Sequence, residues 1–373
     1  MDSCADPPPV TLYGLEQTIV TLPYQLGYHP RDSLVVVCMT AASPLAGDPL
    51  SPPAERVSLT ARVDLPEPRE HAGVLAALGP ALARPETQAL VAVAFADTPP
   101  FAPHVTGLLA QVGELARERE VAVRALALVC RHRWCTVSGC AEQGPWRSLP
   151  PARDVPAVAD FVAVGRAPLR DRGVLEGLLR PADPGLLAAV RTALHAQGGC
   201  ASPQDVPTLA LINARAAAEV LAEIVAGTGT RAAPALPSAA DIACVASALH
   251  HVPLRDAVLS RLTHADTGAA AAGGGLQDAV HQAISRTLPH GRATAARLAT
   301  VGAHVPAPWA APWLTVTGFV AWQAGDGALA NIAIERALRC DPRYALARLM
   351  SLALTSALPP ARPRTTGGGA RCV

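Results

Sequence analysis

The pattern of apolar residues changes at Pro150 and Pro151, and this change constrains the fold more than any other feature of the sequence. Upstream, continuous apolar runs of strand length alternate with amphipathic segments of helical spacing, whereas downstream only helical spacing recurs. Continuous apolar strands are typical of a sheet whose two faces are both covered by helices. The sequence therefore predicts an N-terminal α/β part, with a mixed or parallel sheet flanked by helices, followed by an all-α C-terminal part.

Apolar spacing, together with proline and glycine stops, predicts the individual elements. The N-terminal part is predicted to contain helices at 11–24, 70–83 and 103–119 and strands at 33–39, 57–63, 89–95, 121–129 and 133–137. The C-terminal part is predicted to contain helices at 156–165, 168–180, 184–197, 208–226, 238–262, 276–287, 290–303, 311–323, 328–340 and 343–356. The predicted domains are 1–150 and 151–358, with a disordered tail at 359–373. The order of the strands stays open.

The closing helices, residues 311–356, are predicted to form a hairpin with features of a tetratricopeptide unit. The residues that follow the spacing of such a unit are Gly318, Ala330, Ile334, Ala337 and Pro342. Its large aromatic positions are not matched, since Leu314 and Ala321 stand there. Two interpretations stay open: a plain helical hairpin, or a tetratricopeptide-like unit that offers a surface to a partner. The residues predicted for that partner surface are Trp322, Asp326 and Arg336.

Charge and apolar length argue against two classes of partner. All 31 basic residues are arginine, and 30 acidic residues nearly cancel them, which gives a formal net charge of +1. Nucleic-acid binders usually carry a basic excess, so no nucleic acid is expected as a partner. The uninterrupted apolar stretch from Trp313 to Trp322 is shorter than the roughly 20 residues of a membrane-spanning helix, so no membrane is expected either.

The nine cysteines are scattered, and the first residues are acidic and proline-rich, unlike a secretory signal. This pattern predicts a reduced, cytoplasmic setting. The densest set of soft ligands is Cys130, Cys135 and Cys140, with His132 between them. Zinc prefers closely paired cysteines, whereas four residues separate Cys135 from Cys140. No metal and no cofactor are therefore predicted, and a redox pair and ordinary thiols stay open as alternatives.

Polar residues gather at two points of the predicted sheet. The turn from Gly27 to Ser33 precedes the first strand and contributes His29, Arg31, Asp32 and Ser33. The second strand ends with Arg62 and Asp64. An arginine and a carboxylate on adjacent loops are suited to binding an anion or a hydroxyl group. They are equally suited to closing a turn or a strand end, and a shared site requires both points to lie at the same end of the sheet.

Three stretches resemble a known family when they are taken together and in order. They are residues 22–37 (LPYQLGYHPRDSLVVV), residues 61–66 (ARVDLP), and residues 322–330 (WQAGDGALA) with their continuation to Asp341 and Pro342. The family is the actinobacterial domain of unknown function 4192, and Arg255-Asp256 is similar to its helical Arg-Asp dipeptide. The paired cysteines followed by proline that the family contains are absent from residues 131–144. The resemblance implies one fold over nearly the whole chain and a bacterial, cytosolic setting, and it implies no reaction.

The motifs of several well-defined enzyme classes are absent, since no Walker, GxGxxG, HExxH or GxSxG motif occurs in the sequence. The leading hypothesis is a non-enzymatic interaction or regulatory protein that binds an unknown protein partner or itself. The alternative is a small-molecule, nucleotide or anion-binding protein, or an enzyme, with its site at Gly27–Ser33 and Arg62–Asp64. Whether the protein is an enzyme stays open.

Overall fold

A computed structural model describes residues 14–41, 55–96, 103–138, 141–163, 165–196, 210–226, 235–263, 280, 284 and 291–360. The chain forms two compact units, of which the first consists mainly of residues 1–172 and the second mainly of residues 173–373. The first unit is α/β and the second is helical, which confirms the predicted fold class. The division follows Arg172, which is later than the predicted boundary at 150.

The first unit is built around a mixed six-stranded sheet. The strands are β1 Ser33–Ala41, β2 Glu55–Asp64, β3 Ala89–Phe95, β4 Ala122–Cys130, β5 Arg133–Ser138 and β6 Ala141–Ser148. Their order is β2-β1-β3-β4-β5-β6. The pair β3 and β4 is parallel, and every other neighbouring pair is antiparallel. The helices are α1 Gly14–Leu26, α2 His71–Leu82, α3 Pro103–Glu118 and α4 Pro156–Ala163.

Helices α2 and α3 pack on one face of the sheet. All of β3 is buried, as expected for a continuous apolar strand in the middle of a covered sheet. On one face, Leu34 and Leu90 share a core cluster with Leu78 of α2 and Leu109 of α3. Alternate strand residues point to the other face, because side chains alternate along a strand. This arrangement buries the apolar sides of both helices and of the sheet at once.

Helices α1 and α4 pack against each other elsewhere in the same unit. Tyr24 and Phe161 bring their rings within 6.1 Å, and Val158 is buried beside Val20. Helix α1 is also tied to the sheet, because the Thr60 hydroxyl of β2 donates to Gln25 Oε1 at 3.0 Å. The compact unit therefore includes the segment beyond residue 150, which supplies the partner of α1.

Strand β6 was not predicted from the sequence, and its composition explains why. Its residues, AEQGPWRS, include Gly144 and Pro145 and lack the β-branched run that is typical of strands. Proline is tolerated on an edge strand, where its missing N–H has no ladder partner to lose. The pairing with β5 thus follows from the edge position rather than from strand propensity.

The second unit consists of helices. They are α5 Arg172–Leu178, α6 Pro184–Ala196, α7 Ala210–Ala226, α8 Ala239–Ala248, α9 Val252–Thr263, α10 Gly291–Gly302, α11 Ala307–Gln323, α12 Gly327–Cys340 and α13 Ala345–Thr355. The predicted helix at 276–287 and most of the predicted tail at 359–373 lie outside the described residues. None of the helices in the described ranges is long and apolar enough to cross a membrane.

One predicted helix, 238–262, is wrong as a single element, because the structure divides it into α8 and α9. The break covers residues 249–251 and lies directly before Val252 and Pro253. A proline ring clashes with the carbonyl of the fourth residue before it, here Leu249, so a continuous helix is strained at this point. Ser238 and Asp241 form a capping box at the N-terminus of α8, where the predicted helix also begins.

Two glycines allow the closing helices to approach closely. A Cβ atom at Gly302 of α10 would lie 2.3 Å from the indole of Trp313 in α11, and one at Gly318 of α11 would lie 2.8 Å from Ile334 of α12. Trp313 is fully buried and donates its Nε1 hydrogen to the Leu298 carbonyl at 2.8 Å. The packing of α10, α11 and α12 therefore depends on the absence of side chains at these two positions.

Candidate functional site

The two polar points predicted from the sequence lie at the same end of the sheet. Strands β1 and β2 are antiparallel, and their register places Ser33 opposite Asp64. Ser33 also lies opposite Phe95, the last residue of β3, which in turn pairs with Val129 near the end of β4. Ligands of α/β proteins commonly bind outside the carboxyl ends of parallel strands. We define the sheet-edge cluster as His29, Arg31, Asp32, Ser33, Arg62 and Asp64.

A chain of hydrogen bonds and ion pairs links the centre of the sheet-edge cluster. The Ser33 hydroxyl donates to the Arg31 carbonyl at 2.5 Å and accepts from Arg62 Nε at 2.8 Å. Arg62 Nη2 lies 2.5 Å from Asp64 Oδ1, and Arg172 Nη1 lies 3.9 Å from Asp64 Oδ2. The guanidinium of Arg62 is therefore held by a serine on one side and a carboxylate on the other. This geometry fixes the end of β2 to the start of β1.

The turn before β1 is fixed by its backbone. Asp32 has a φ of 40°, in the left-handed region that is uncommon for residues other than glycine. Its carbonyl accepts a hydrogen bond from the Leu65 amide at 2.8 Å, which holds the strained residue in place. The His29 amide donates to the Leu169 carbonyl at 3.0 Å, and the Leu169 amide donates to the Gly27 carbonyl at 2.8 Å. The turn is therefore fastened from two sides.

Exposure divides the sheet-edge cluster into an inner and an outer part. Ser33 is fully buried and the Arg62 side chain is 11% exposed, whereas the Asp64 side chain is 73% exposed. His29, Arg31 and Asp32 are exposed as well. Partial desolvation, followed by the charge of Arg31, lowers the pKa of His29. Chemically, Arg62 of the cluster and the neighbouring Arg172 share the exposed carboxylate of Asp64, and an anionic ligand would bind by replacing that carboxylate.

The three residues predicted for a partner surface lie in different surroundings within the second unit. Asp326 is buried, caps α12 by accepting from the Leu329 amide at 3.1 Å, and lies 3.9 Å from Arg292 Nη1. Arg336 is half-buried and its guanidinium donates to the Leu179 carbonyl. Trp322 donates its Nε1 hydrogen to the Leu358 carbonyl at 3.3 Å. All three make contacts inside the unit.

An exposed apolar face on α13 was missed by the sequence analysis. Leu349 is 64% exposed and Leu352 is 62% exposed. The two leucines are three residues apart, so they lie about one turn apart on the same side of the helix. The opposite side contains the buried Ala347 and Met350. The signal in the sequence was the helix itself, ALARLMSLALT, which is apolar almost all round and thus has more apolar surface than one contact can bury.

A buried polar network surrounds the Arg-Asp dipeptide. Arg255 donates to Asp256 Oδ1 from Nε at 2.9 Å and from Nη2 at 2.7 Å, and its Nη1 donates to the Tyr344 hydroxyl at 2.8 Å. The Arg255 side chain is 11% exposed. Burial raises the pKa of Tyr344, and the Arg255 charge opposes that rise. Because the arginine already has its carboxylate and its hydroxyl partners, this network is suited to holding α9 against the segment before α13.

The cysteine set does not assemble into a metal site within the described part of the chain. Cys135 is buried in the core beneath the helices, Cys130 is half-buried on β4, His132 is exposed, and Cys140 lies outside the described residues. Among the described residues, no group of three or more histidine, cysteine, aspartate or glutamate side chains is placed to hold a metal ion. Burial raises the pKa of Cys38 to about 11, so this thiol is a packing group and a poor nucleophile.

Comparison with protein families gives a match to the Domain of unknown function (DUF4192) over residues 16–361. The chain belongs to the DUF4192 family. This match confirms the resemblance drawn from residues 22–37, 61–66 and 322–342. The range matched by the DUF4192 model includes the sheet-edge cluster, the polar network around Arg255 and α13. Neither a curated protein nor a solved structure gives a significant match to the chain.

Proposed function

We propose that this protein is an interaction or regulatory protein and that α13 presents its partner surface. The observation that supports the proposal is the exposed apolar face formed by Leu349 and Leu352. Exposed side chains of this size are unremarkable singly, but adjacent ones on a regular helix are typical of interaction sites. Helix-in-groove recognition uses apolar anchors one turn apart, which is the spacing of these two leucines.

The charge around α13 indicates the kind of partner. Arg343, which precedes α13, and Arg348, which lies on it, are both exposed. Residues 342–360 contain these two arginines and no acidic residue. Complementary charge favours the correct partner and penalises the wrong one. We therefore propose that the occupant is an amphipathic helix of a partner protein, with acidic residues along the border of its apolar side.

The test uses a synthetic amphipathic helix whose leucines are bordered by glutamates, and a second peptide with lysines in place of the glutamates. We expect the glutamate peptide to bind, and the double variant Leu349→Glu/Leu352→Glu to bind it about tenfold more weakly or worse. Fluorescence anisotropy of the labelled peptide measures both affinities. The matched control is Val162→Glu, which places a charge at another exposed apolar residue, 55% exposed, in the first unit.

Three results would contradict this proposal. If the glutamate and lysine peptides bound equally well, the charge argument would fail. If the double variant bound the glutamate peptide as tightly as the wild type does, α13 would not be the binding surface. A wild-type dimer in size-exclusion chromatography that the double variant abolishes would make a second copy of the chain the occupant. Binding to anionic phospholipid vesicles in place of the peptide would identify a lipid surface instead.

A second candidate function is the binding of a small anion at the sheet-edge cluster, because the strand register brings the two predicted points together. We expect a thermal-shift screen against nucleotides, sugar phosphates and carboxylic acids to give a stabilising ligand. That shift should be lost in Arg62→Ala and reduced in Asp32→Ala. Arg153→Ala, at a side chain 85% exposed in the same unit, is the control. A ligand whose shift survives Arg62→Ala binds elsewhere and contradicts this candidate.

A further inference from the structure

A separate pocket lies at the opposite end of the same sheet, where the chain enters β3 and β4. It has a volume of about 460 Å³. Its lining is formed by Leu82, Ala83, Arg84, Pro85, Thr87 and Gln88, and by Arg119 and Glu120 from the turn after α3. Two arginines from two different turns therefore border one cavity, and both belong to the first unit. No sequence motif marks this place, since each arginine stands alone in its own turn.

The guanidinium of Arg84 is largely buried and has fewer hydrogen-bond acceptors around it than N–H donors. Its side chain is 13% exposed, and its Nη1 atom is buried with no hydrogen-bond partner among the described residues. The nearest carboxylate, on Glu86, lies 3.6 Å from Nε and is itself 58% exposed. A guanidinium that is taken out of water normally has a carboxylate or another acceptor close to it, because the charge otherwise costs free energy. The local structure therefore has a cationic donor in need of an acceptor.

The surroundings of Arg84 are fixed by hydrogen bonds, so the cavity is built rather than incidental. The Thr87 hydroxyl donates to the Ala81 carbonyl at 2.9 Å, and the Gln88 amide donates to the Met39 carbonyl at 2.9 Å. Arg119 is held on the other side, where its Nη1 donates to the Gly79 carbonyl at 3.3 Å. These contacts tie both turns to neighbouring elements and keep the two guanidinium groups at the same cavity.

We propose that this pocket binds the oxyanion group of a small metabolite, a carboxylate or a phosphate, with Arg84 as the principal donor and Arg119 as the second. Arginine presents N–H groups in a planar fork that matches both kinds of oxyanion. The incoming group takes the place of the Glu86 carboxylate, which lies 3.6 Å from Arg84 Nε and is largely exposed. The site is independent of the sheet-edge cluster and of α13.

The test measures binding of succinate and of inorganic phosphate by isothermal titration calorimetry, using the full chain. We expect saturable binding of at least one of them, and the comparison of the two assigns the group as carboxylate or phosphate. Arg84→Met, which keeps the apolar stem and removes the charge, should weaken that binding about tenfold or more. Arg119→Gln should weaken it to a smaller extent. Arg153→Gln, at a side chain that is 85% exposed in the same unit, should bind as the wild type does.

Stability in the absence of ligand gives a second, independent readout. Because Arg84→Met removes a buried charge that lacks an acceptor, the variant should unfold at an equal or higher temperature than the wild type. A purely structural Arg84 predicts the reverse, a less stable variant with unchanged ligand binding, and that result would overturn the proposal. Failure of the wild type to bind succinate or phosphate saturably would overturn it too, as would loss of binding in Arg62→Ala with retention in Arg84→Met.

Discussion

Replacing Gly302 by alanine is expected to lower the free energy of unfolding of the second unit by about 3 kcal/mol. The added Cβ would lie 2.3 Å from both Cδ1 and Nε1 of the Trp313 indole, closer than any real contact of this kind. Trp313 is 1% exposed, and its movement would break the hydrogen bond to the Leu298 carbonyl. The indole is rigid and surrounded by packed helices, so it has no alternative position. Urea denaturation followed by tryptophan fluorescence measures the loss.

The control for this prediction is Gly327→Ala. Gly327 is the first residue of α12, and a Cβ there meets nothing within 4 Å. Its effect on the free energy of unfolding should be close to zero or slightly stabilising, because alanine is the better helix former. Gly318→Ala should fall between the two, since the atoms it meets at 2.8 Å belong to the flexible end of Ile334. Equal stability of the Gly302 and Gly327 variants would show that α10 and α11 do not pack as described.

The second unit is expected to lose stability as the pH falls from about 6.5 to about 4, through His250. Burial lowers the pKa of His250 to about 4 from its ordinary value of 6.5, while a hydrogen bond to the backbone of Trp309 and the charge of Asp341 oppose the change. A lowered histidine pKa means that the folded state disfavours the proton. The contribution of neutral His250 to the free energy of unfolding is therefore fully present above pH 6.5. It decreases as the pH falls, until His250 is protonated in the folded state as well. The full loss is about 3 kcal/mol, from the difference between the two pKa values.

The variant His250→Gln tests this cause directly. Glutamine does not titrate, so the difference in unfolding free energy between pH 7.5 and pH 4.5 should shrink by a large part of that amount. His195→Gln is the matched control, because His195 is exposed near the end of α6. The ring of His250 packs edge-on against Trp309 at 5.2 Å, so the variant will also be less stable at neutral pH. Only the slope against pH decides, and an unchanged slope would assign the acid sensitivity to other groups.

The parts of the fold that sequence reasoning predicted are those with a strong local period. Strand β3 and helix α3 have patterns that fit one element only, and both were found where they were expected. Strand β6 was missed because an edge strand needs little propensity of its own once β5 supplies half of the hydrogen bonds. The helix at 238–262 was predicted as one element because its apolar spacing continues across Pro253, although the proline prevents a continuous backbone.

The candidate sites show a similar limit. The residues of the sheet-edge cluster were named from the sequence, but their proximity depends on the β1–β2 register, which no local pattern determines. The Arg84 pocket was invisible for the same reason, since Arg84 and Arg119 are far apart in the sequence and each looks like an ordinary arginine after a helix. Exposure also depends on distant parts of the chain. From the sequence alone the leucines of α13 resemble core residues, and only the folded structure shows that Leu349 and Leu352 are exposed.

The two outer strands of the sheet have a consequence for how this protein meets other molecules. An edge strand can recruit a strand from another chain, which leads to aggregation or to recognition by strand addition. Pro145 has no N–H to donate, so it removes one backbone donor from β6. Strand β2 carries four charged residues, Glu55, Arg56, Arg62 and Asp64. Both edges therefore resist extension. We therefore expect this sheet to meet a partner through side chains rather than through a shared backbone ladder.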